Sequence, residues 1–214
     1  MVGIRTLGRW AVIAGVLSLF SLGGVAAVAA APTASPLTVT SFALDRALEV
    51  LNDPARTDEE KRERIRREVV PSMDFSATAR LALGRHRPPS EAARQEFERL
   101  FVQLLEQKYL TKMLFAEAKG ARVVYFRETI DGNFAQVPTK FISAKGGEHS
   151  VIWRLHVVDD SWRIYDMVAE GVSLVANYRA QFTRLLKSSA PAESVFEEFL
   201  SRIRAALGRA TANR

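Results

Sequence analysis

The chain contains few side chains suited to metal, cofactor or phosphate chemistry. Cysteine is absent, and His86, His149 and His156 lie far apart in the sequence. None of them has the His-x-x-x-His or Glu-x-x-His spacing that places two ligands on one helix face. The glycine-rich fingerprints of phosphate and dinucleotide binding are also missing from the sequence. The sequence therefore predicts no metal site and no cofactor.

Two combinations of residues could in principle support catalysis. Ser173, His156 and Asp166 could act as nucleophile, base and acid, but no Gly-x-Ser-x-Gly elbow surrounds the serine. Tyr165 and Asp166 could transfer protons to an apolar substrate in a cone-shaped pocket between a sheet and helices. Neighbouring strand residues point to opposite faces, so this pair is not expected to enter one pocket. The sequence predicts no catalytic residue, and the pocket enzyme is the alternative.

The first half of the chain has helical periodicity. Apolar residues recur at helical spacing over residues 40–51, 57–70, 76–83 and 90–109. Thr57 and Glu60 have the spacing of a capping box, which opens the second of these helices. The charged run from Lys61 to Arg67 is either a solvated helix face or a docking surface for an acidic partner, in which case the protein is a structural adaptor.

The periodicity changes to two after Gly120, which indicates strands. The predicted strands are Arg122–Ile130, Gln136–Ala144, Ser150–Val158 and Trp162–Val168. Short turns join them, and helical patterns over residues 174–187 and 192–207 follow. This order predicts an α+β fold, in which helices from both ends of the chain cover an antiparallel four-stranded meander sheet.

One face of the predicted sheet is rich in large apolar side chains. Strict alternation would place Trp162, Ile164 and Val168 on one face, and Tyr165 and Met167 on the other. Such an apolar face must be covered. The cover is either the protein's own helices or, in part, a ligand.

The N-terminal segment has the layout of a secretory signal peptide. Arg5 and Arg9 precede an apolar run from Trp10 to Phe20, and small residues lead to Ala30. The run is shorter than the roughly 20 residues that a membrane-spanning helix needs. We therefore expect cleavage near Ala30, with residues 1–30 as the signal peptide.

The remaining residues, 31–214, are expected to form one exported domain. The net charge is +6, and removal of the signal peptide would lower it by two because Arg5 and Arg9 are lost. The basic residues are mixed with acidic ones and lack the interleaved aromatic residues typical of single-stranded nucleic acid binding. Nucleic acid is therefore not an expected partner.

Residues 162–182 resemble the signature of the MlaC family of periplasmic phospholipid-binding proteins, the toluene-tolerance-type auxiliary components of ABC transporters. The matching runs are Trp162–Asp166, Glu170–Val175, Asn177–Arg179 and Gln181-Phe182. Further similarity is found upstream at Asp74-Phe75, Leu83-Gly84, Phe97, Phe101, Leu104-Leu105 and Tyr109. The basic loop from Arg85 to Ser90 departs from the family pattern.

The resemblance implies a periplasmic carrier that holds the acyl chains of a phospholipid in a pocket between sheet and helices. It also implies two partners, an inner-membrane ABC transporter complex and an outer-membrane lipoprotein complex, between which lipid is moved to maintain outer-membrane lipid asymmetry. Contact with either membrane would be transient. Related members are associated with hopanoid export, so a hopanoid-type lipid is an alternative cargo.

The expected lining of the pocket follows from this resemblance and from the apolar patterns. The candidates are Trp153, Leu155, Val157, Ile164, Val168, Val175, Tyr178 and Phe182. Gly171 is expected to allow a sharp turn and Ser173 to cap the next helix, which would place that helix over the sheet. We also expect Asp166, Glu170 and Arg179 to form one polar clasp that holds this turn.

Overall fold

Six helices pack around an antiparallel sheet in the computed structural model, which describes residues 32, 34–107, 120–187 and 191–212. The predicted signal peptide and Tyr109 lie outside the described residues. The residues described belong to one compact unit. This architecture confirms the predicted α+β class.

The helices begin at residues that cap them. They are α1 (Pro36–Asn52), α2 (Asp58–Glu68), α3 (Phe75–Leu83), α4 (Glu91–Leu105), α5 (Leu174–Leu185) and α6 (Ala192–Ala212). In the first five, a side-chain oxygen just before the helix accepts a first-turn N–H; the caps are Ser35, Thr57, Asp74, Ser90 and Ser173. The capping box of Thr57 and Glu60 and the cap at Ser173 are thereby confirmed.

The sheet is larger than the four strands predicted. Its strands are β1 (Arg122–Tyr125), β2 (Thr129–Asp131), β3 (Phe134–Ile142), β4 (Glu148–Val158), β5 (Ser161–Ala169) and β6 (Val172–Ser173). They are ordered β1-β3-β4-β5-β6, and β2 also pairs with β3. All pairs are antiparallel.

The prediction of one long first strand, Arg122–Ile130, is wrong. Between Tyr125 and Thr129 the chain leaves the hydrogen-bond ladder of the sheet. Phe126 lies opposite Pro138 and donates its N–H to the Pro138 carbonyl over 3.0 Å. Proline has no N–H to return, so the pairing ends there. The Glu128 carboxylate instead accepts the N–H of Leu37 in α1. Two short strands, β1 and β2, replace the predicted long one.

A β-bulge interrupts β5 at Tyr165. Arg154 pairs with Asp166, whereas its neighbour Leu155 pairs with Ile164, so Tyr165 has no partner of its own in β4. An extra residue in one strand shifts the alternation of side chains by one position. The two halves of β5 therefore follow different face patterns.

The bulge corrects the predicted faces of β5. Trp162 and Ile164 are buried on the face that also carries Trp153, which we call the inner face. Met167 pairs directly with Trp153 and so lies on this face too. The predicted grouping of Val168 with Trp162 and Ile164 is wrong, since Val168 lies on the opposite side of the sheet.

The buried apolar residues form two separate clusters. The sheet cluster joins the inner face to α1 and α2 and contains Ala43, Leu44, Ala47, Val50, Leu51, Ile65, Val69, Ala135, Val137, Val151, Trp153, Leu155, Trp162 and Ile164. The helical cluster joins the four helices α3, α4, α5 and α6. It contains Ala79, Ala82, Leu83, Phe97, Leu100, Phe101, Leu104, Leu105, Tyr178, Phe182, Phe196, Phe199, Leu200 and Ile203. Aromatic rings dominate the second; Phe97 stacks on Phe101 with centroids 5.5 Å apart.

Gly84 permits the close packing of α3 on α5 and provides a test of it. Its φ is +66°, and an added Cβ would lie 3.3 Å from Cδ of Arg179. We expect Gly84→Ala to lower the free energy of unfolding by about 2 kcal/mol or more, through backbone strain and this contact. The control is Gly132→Ala, where φ is +55° and no atom lies within 4 Å of the added Cβ. Urea unfolding measures both, and an equal loss in the two variants would contradict the packing argument.

Candidate functional site

A cavity of about 390 Å³ lies between the inner face and the helices. Helix α1 borders it with the small side chains of Ala43 and Ala47, opposite the larger Trp153 and Met167 of the sheet. Small residues on the helix that covers a sheet leave space that neighbouring side chains do not fill. The volume lies within the range of about 300–1,000 Å³ typical of ligand pockets.

The cavity separates the two core clusters. Val151 and Ile164 of the sheet cluster border it on one side, and Leu105 of the helical cluster borders it on the other. Phe75 and Leu174, which pack against the helical cluster, complete that side. The space is thus a gap in the middle of the hydrophobic core.

Polar groups in the cavity wall have hydrogen-bond partners within the protein. The Thr78 hydroxyl donates to the Tyr165 carbonyl at 2.7 Å, and the Trp153 indole N–H donates to the Thr139 hydroxyl at 3.0 Å. Both interactions satisfy groups that would otherwise be costly to bury. The wall therefore offers a ligand mainly hydrocarbon contacts.

The cavity has a polar rim at one end, near the β3–β4 turn. Ser143, His149 and Glu170 border it there, and the last two are exposed. His149 Nδ1 lies 3.8 Å from the Glu170 carboxylate. The exposure of His149 and Glu170 places this end of the cavity near the protein surface.

Asp166 holds the turn between β5 and α5. Its buried carboxylate accepts hydrogen bonds from the Ser173 hydroxyl at 2.7 Å, the Met167 N–H at 2.9 Å and the Val175 N–H at 3.0 Å. Arg154 adds an ion pair at 3.2 Å. With these donors in place, the carboxylate stabilises the chain reversal.

The predicted polar clasp of Asp166, Glu170 and Arg179 is wrong. The Glu170 carboxylate accepts the N–H of Ser150 at 2.9 Å, across the end of the sheet. The Arg179 guanidinium donates to the carbonyl of Leu81 in α3 at 2.8 Å. Each residue binds a different neighbour, because Glu170 lies in the turn itself and Arg179 lies on the side of α5 that packs on α3.

The cavity brings together two of the eight predicted lining residues, Trp153 and Ile164. Leu155 and Val157 belong to or pack against the sheet cluster, and Tyr178 and Phe182 belong to the helical cluster. Val168 and Val175 are buried beyond the inner face, near Asp166. The prediction that these six contact a ligand stays a prediction.

Sequence reasoning missed much of the lining. The residues concerned include Ala43, Leu44, Ala47, Val69, Met73, Phe75, Leu105, Phe141 and Met167. The signal that was available is the pair Ala43 and Ala47, which lie one helical turn apart among larger apolar residues of α1. Two small side chains on one helix face indicate either close packing or an unfilled space.

Tyr165 and Asp166, the residues of the pocket-enzyme alternative, both border the cavity. The Tyr165 ring packs 5.0 Å from the His156 ring, on the side of the sheet where Asp166 binds Arg154. The expectation that Tyr165 and Asp166 point to opposite faces is therefore wrong, since a bulge can place adjacent side chains on one side. Burial raises the pKa of Tyr165, so its phenol stays protonated at neutral pH.

The alternative Ser-His-Asp arrangement of Ser173, His156 and Asp166 is not assembled. Ser173 does contact Asp166, but His156 Nε2 lies 2.9 Å from the Asp74 carboxylate, at the start of α3. Within the described ranges, no group of three or more His, Asp or Glu side chains could hold a metal ion. No helix in the same ranges is long and apolar enough to cross a membrane.

Comparisons with known proteins agree with this geometry. Over 115 residues, which make up 52% of this chain, the sequence is 26% identical to the intermembrane phospholipid transport system binding protein MlaC of Haemophilus influenzae. The match spans about half, 54%, of that relative. The fold is similar to the phospholipid-binding protein of Ralstonia solanacearum, solved with a bound phospholipid, at a TM-score of 0.69.

That structural similarity covers 82% of this chain and 99% of the Ralstonia chain at 20% identity, so it concerns the fold. The family described as MlaC protein matches residues 42–200, a range that includes every residue that lines the cavity. The chain belongs to the MlaC family.

Proposed function

We propose that this protein is a phospholipid carrier, and that the acyl chains of its cargo occupy the cavity between the inner face and the helices. The observation that carries the proposal is the apolar gap that divides the core into two clusters. The relative from H. influenzae is named for intermembrane phospholipid transport, and the similar Ralstonia fold binds phospholipid; both support the proposal.

Energetics favour a filled cavity. At about 24 cal/mol per Å³, an empty apolar space of about 390 Å³ would cost on the order of 9 kcal/mol. That cost is comparable with the net stability of about 5–15 kcal/mol for a typical domain. Hydrocarbon from a ligand would recover most of the lost contacts, whereas water finds few partners in such a wall.

The same energetics imply a shuttle rather than a protein that releases its cargo into water. About 14 methylenes, roughly the number that a cavity of about 390 Å³ holds, contribute on the order of 11 kcal/mol gross when buried, at about 0.8 kcal/mol per methylene. Release therefore needs direct contact with an acceptor. In the proposed setting this protein is exported to the periplasm, the acceptors are an inner-membrane ABC transporter complex and an outer-membrane lipoprotein complex, and no reaction is catalysed.

Mass spectrometry of organic extracts from the purified protein tests the proposal. We expect phospholipid close to one molecule per protein, after expression in several hosts with different lipid compositions. Extracts without lipid from every host would contradict carriage. A hopanoid-type lipid recovered from a hopanoid-producing host would keep the carrier role but change the cargo.

A further inference from the structure

One surface of the protein carries many cations. It lies on the C-terminal parts of α3 and α5 and on the loop that follows α3. Its exposed cations, which we call the basic face, are Arg80, Arg85, Arg87, Arg179, Arg184 and Lys187. Residues 75–90 and 174–187 contain no aspartate or glutamate. The positive charge of the face is therefore not offset within either segment.

Two contacts join the segments into one surface. The Arg179 guanidinium donates to the Leu81 carbonyl at the end of α3. His86 Nε2, in the loop, lies 3.2 Å from the Thr183 hydroxyl of α5. The loop cations are thereby held next to the cations at the end of α5.

Other helices of this protein balance their charges locally. In α2, the run from Lys61 to Arg67 is neutralised by pairs such as Arg62 with Glu59 at 2.7 Å. In α6, Arg202 pairs with Glu198 at 2.6 Å. On the basic face, no cation forms an ion pair with any acid in the described part of the chain. The α2 surface thus fits a solvated helix face, and the basic face is the unusual one.

Helix stability explains only part of the basic face. Arg80 and Arg184 lie in the last turns of their helices, where a cation interacts favourably with the helix dipole. Arg85 and Arg87 lie beyond α3, so the helix dipole does not account for their presence on the basic face.

We propose that the basic face binds the surface of a lipid bilayer that carries anionic headgroups. The cations are spread over an open surface on long side chains, which suits a diffuse layer of negative charge. Leu81, which is 38% exposed, adds an apolar contact within the face. The proposal rests on the proposed function, because a lipid carrier must approach membranes. Helices α3 and α5 also border the cavity through Phe75 and Leu174, so the same helices contact both bilayer and cargo.

Vesicle co-sedimentation tests this proposal at a salt concentration of about 0.15 M, where only nearby charges interact strongly. The purified protein is mixed with vesicles of phosphatidylcholine and phosphatidylglycerol, or with vesicles of phosphatidylcholine alone. We expect binding only to the anionic vesicles, and a loss of about tenfold or more in Arg85→Glu/Arg87→Glu. The control Arg122→Glu/Arg127→Glu changes the net charge equally at exposed cations beside β1, and should bind almost as well as the original chain.

Three outcomes would overturn the proposal: no binding to anionic vesicles, equal binding to neutral vesicles, or an equal loss in the control. The first would instead favour an acidic protein partner. Lipid extracts of the same variants keep the two proposals distinguishable. We expect Arg85→Glu/Arg87→Glu to retain its co-purified lipid. If the protein is not a lipid carrier, extracts of the original chain will contain no lipid either.

Discussion

Replacing Ala47 with tryptophan is expected to remove most of the lipid that co-purifies with this protein. Ala47 is 3% exposed and borders the cavity from α1, opposite the sheet. The indole would occupy space that we assign to hydrocarbon. Displacing as few as two methylenes costs about 1.6 kcal/mol of binding free energy, roughly a tenfold loss of affinity. Mass spectrometric quantification of lipid per protein measures the effect.

The matched control for Ala47→Trp is Ala92→Trp, which adds the same side chain at an exposed position in the first turn of α4. It should leave the lipid content unchanged. Thermal unfolding of both variants shows whether each is folded. A folded Ala47→Trp protein with the original lipid content would place the cargo outside the cavity and contradict the proposed function.

The second large effect is expected for Asp166→Ala, which should lower the free energy of unfolding by about 3 kcal/mol. The change leaves the N–H groups of Met167 and Val175 without their acceptor, and Arg154 without its ion-pair partner. Unsatisfied buried donors and a broken partly buried ion pair each cost on the order of 1–3 kcal/mol. Urea unfolding measures the loss.

Glu170→Ala is the control for Asp166→Ala, because Glu170 lies in the same turn but is exposed. Its removal deletes one hydrogen bond, to the N–H of Ser150, and should cost about 1 kcal/mol or less. Equal losses in the two variants would show that the four-donor arrangement around Asp166 is not what holds the turn.

Much of the fold follows from local signals in the sequence. The change of period after Gly120 marked the passage from helices to strands, and the caps at Thr57 and Ser173 depend only on neighbouring residues. The number of strands was not predicted, although Pro138 carried the signal. Pro138 lies opposite Phe126 and has no N–H to donate, so the pairing with β3 is interrupted there. The chain therefore forms β1 and β2 in place of one continuous strand.

The candidate site was harder to predict, because it depends on register and on distant segments. The bulge at Tyr165 moves Met167 to the inner face and Val168 away from it, and nothing in the local alternation shows an extra residue. Trp153 and Ile164 were predicted to line a pocket, and they border the cavity because both lie on the inner face. Ala43 and Ala47 were missed because an unfilled space depends on what lies opposite them in the fold.

The division of the core has a consequence for how cargo and folding are coupled. Each cluster keeps its own close contacts, so hydrocarbon can enter as a third layer without unpacking either one. A molecule that binds only the folded state raises its stability, and the gain grows as the ligand concentration exceeds the dissociation constant. Under the proposed function the cargo is a removable part of the interior, and we expect thermal stability to depend on the length of its chains.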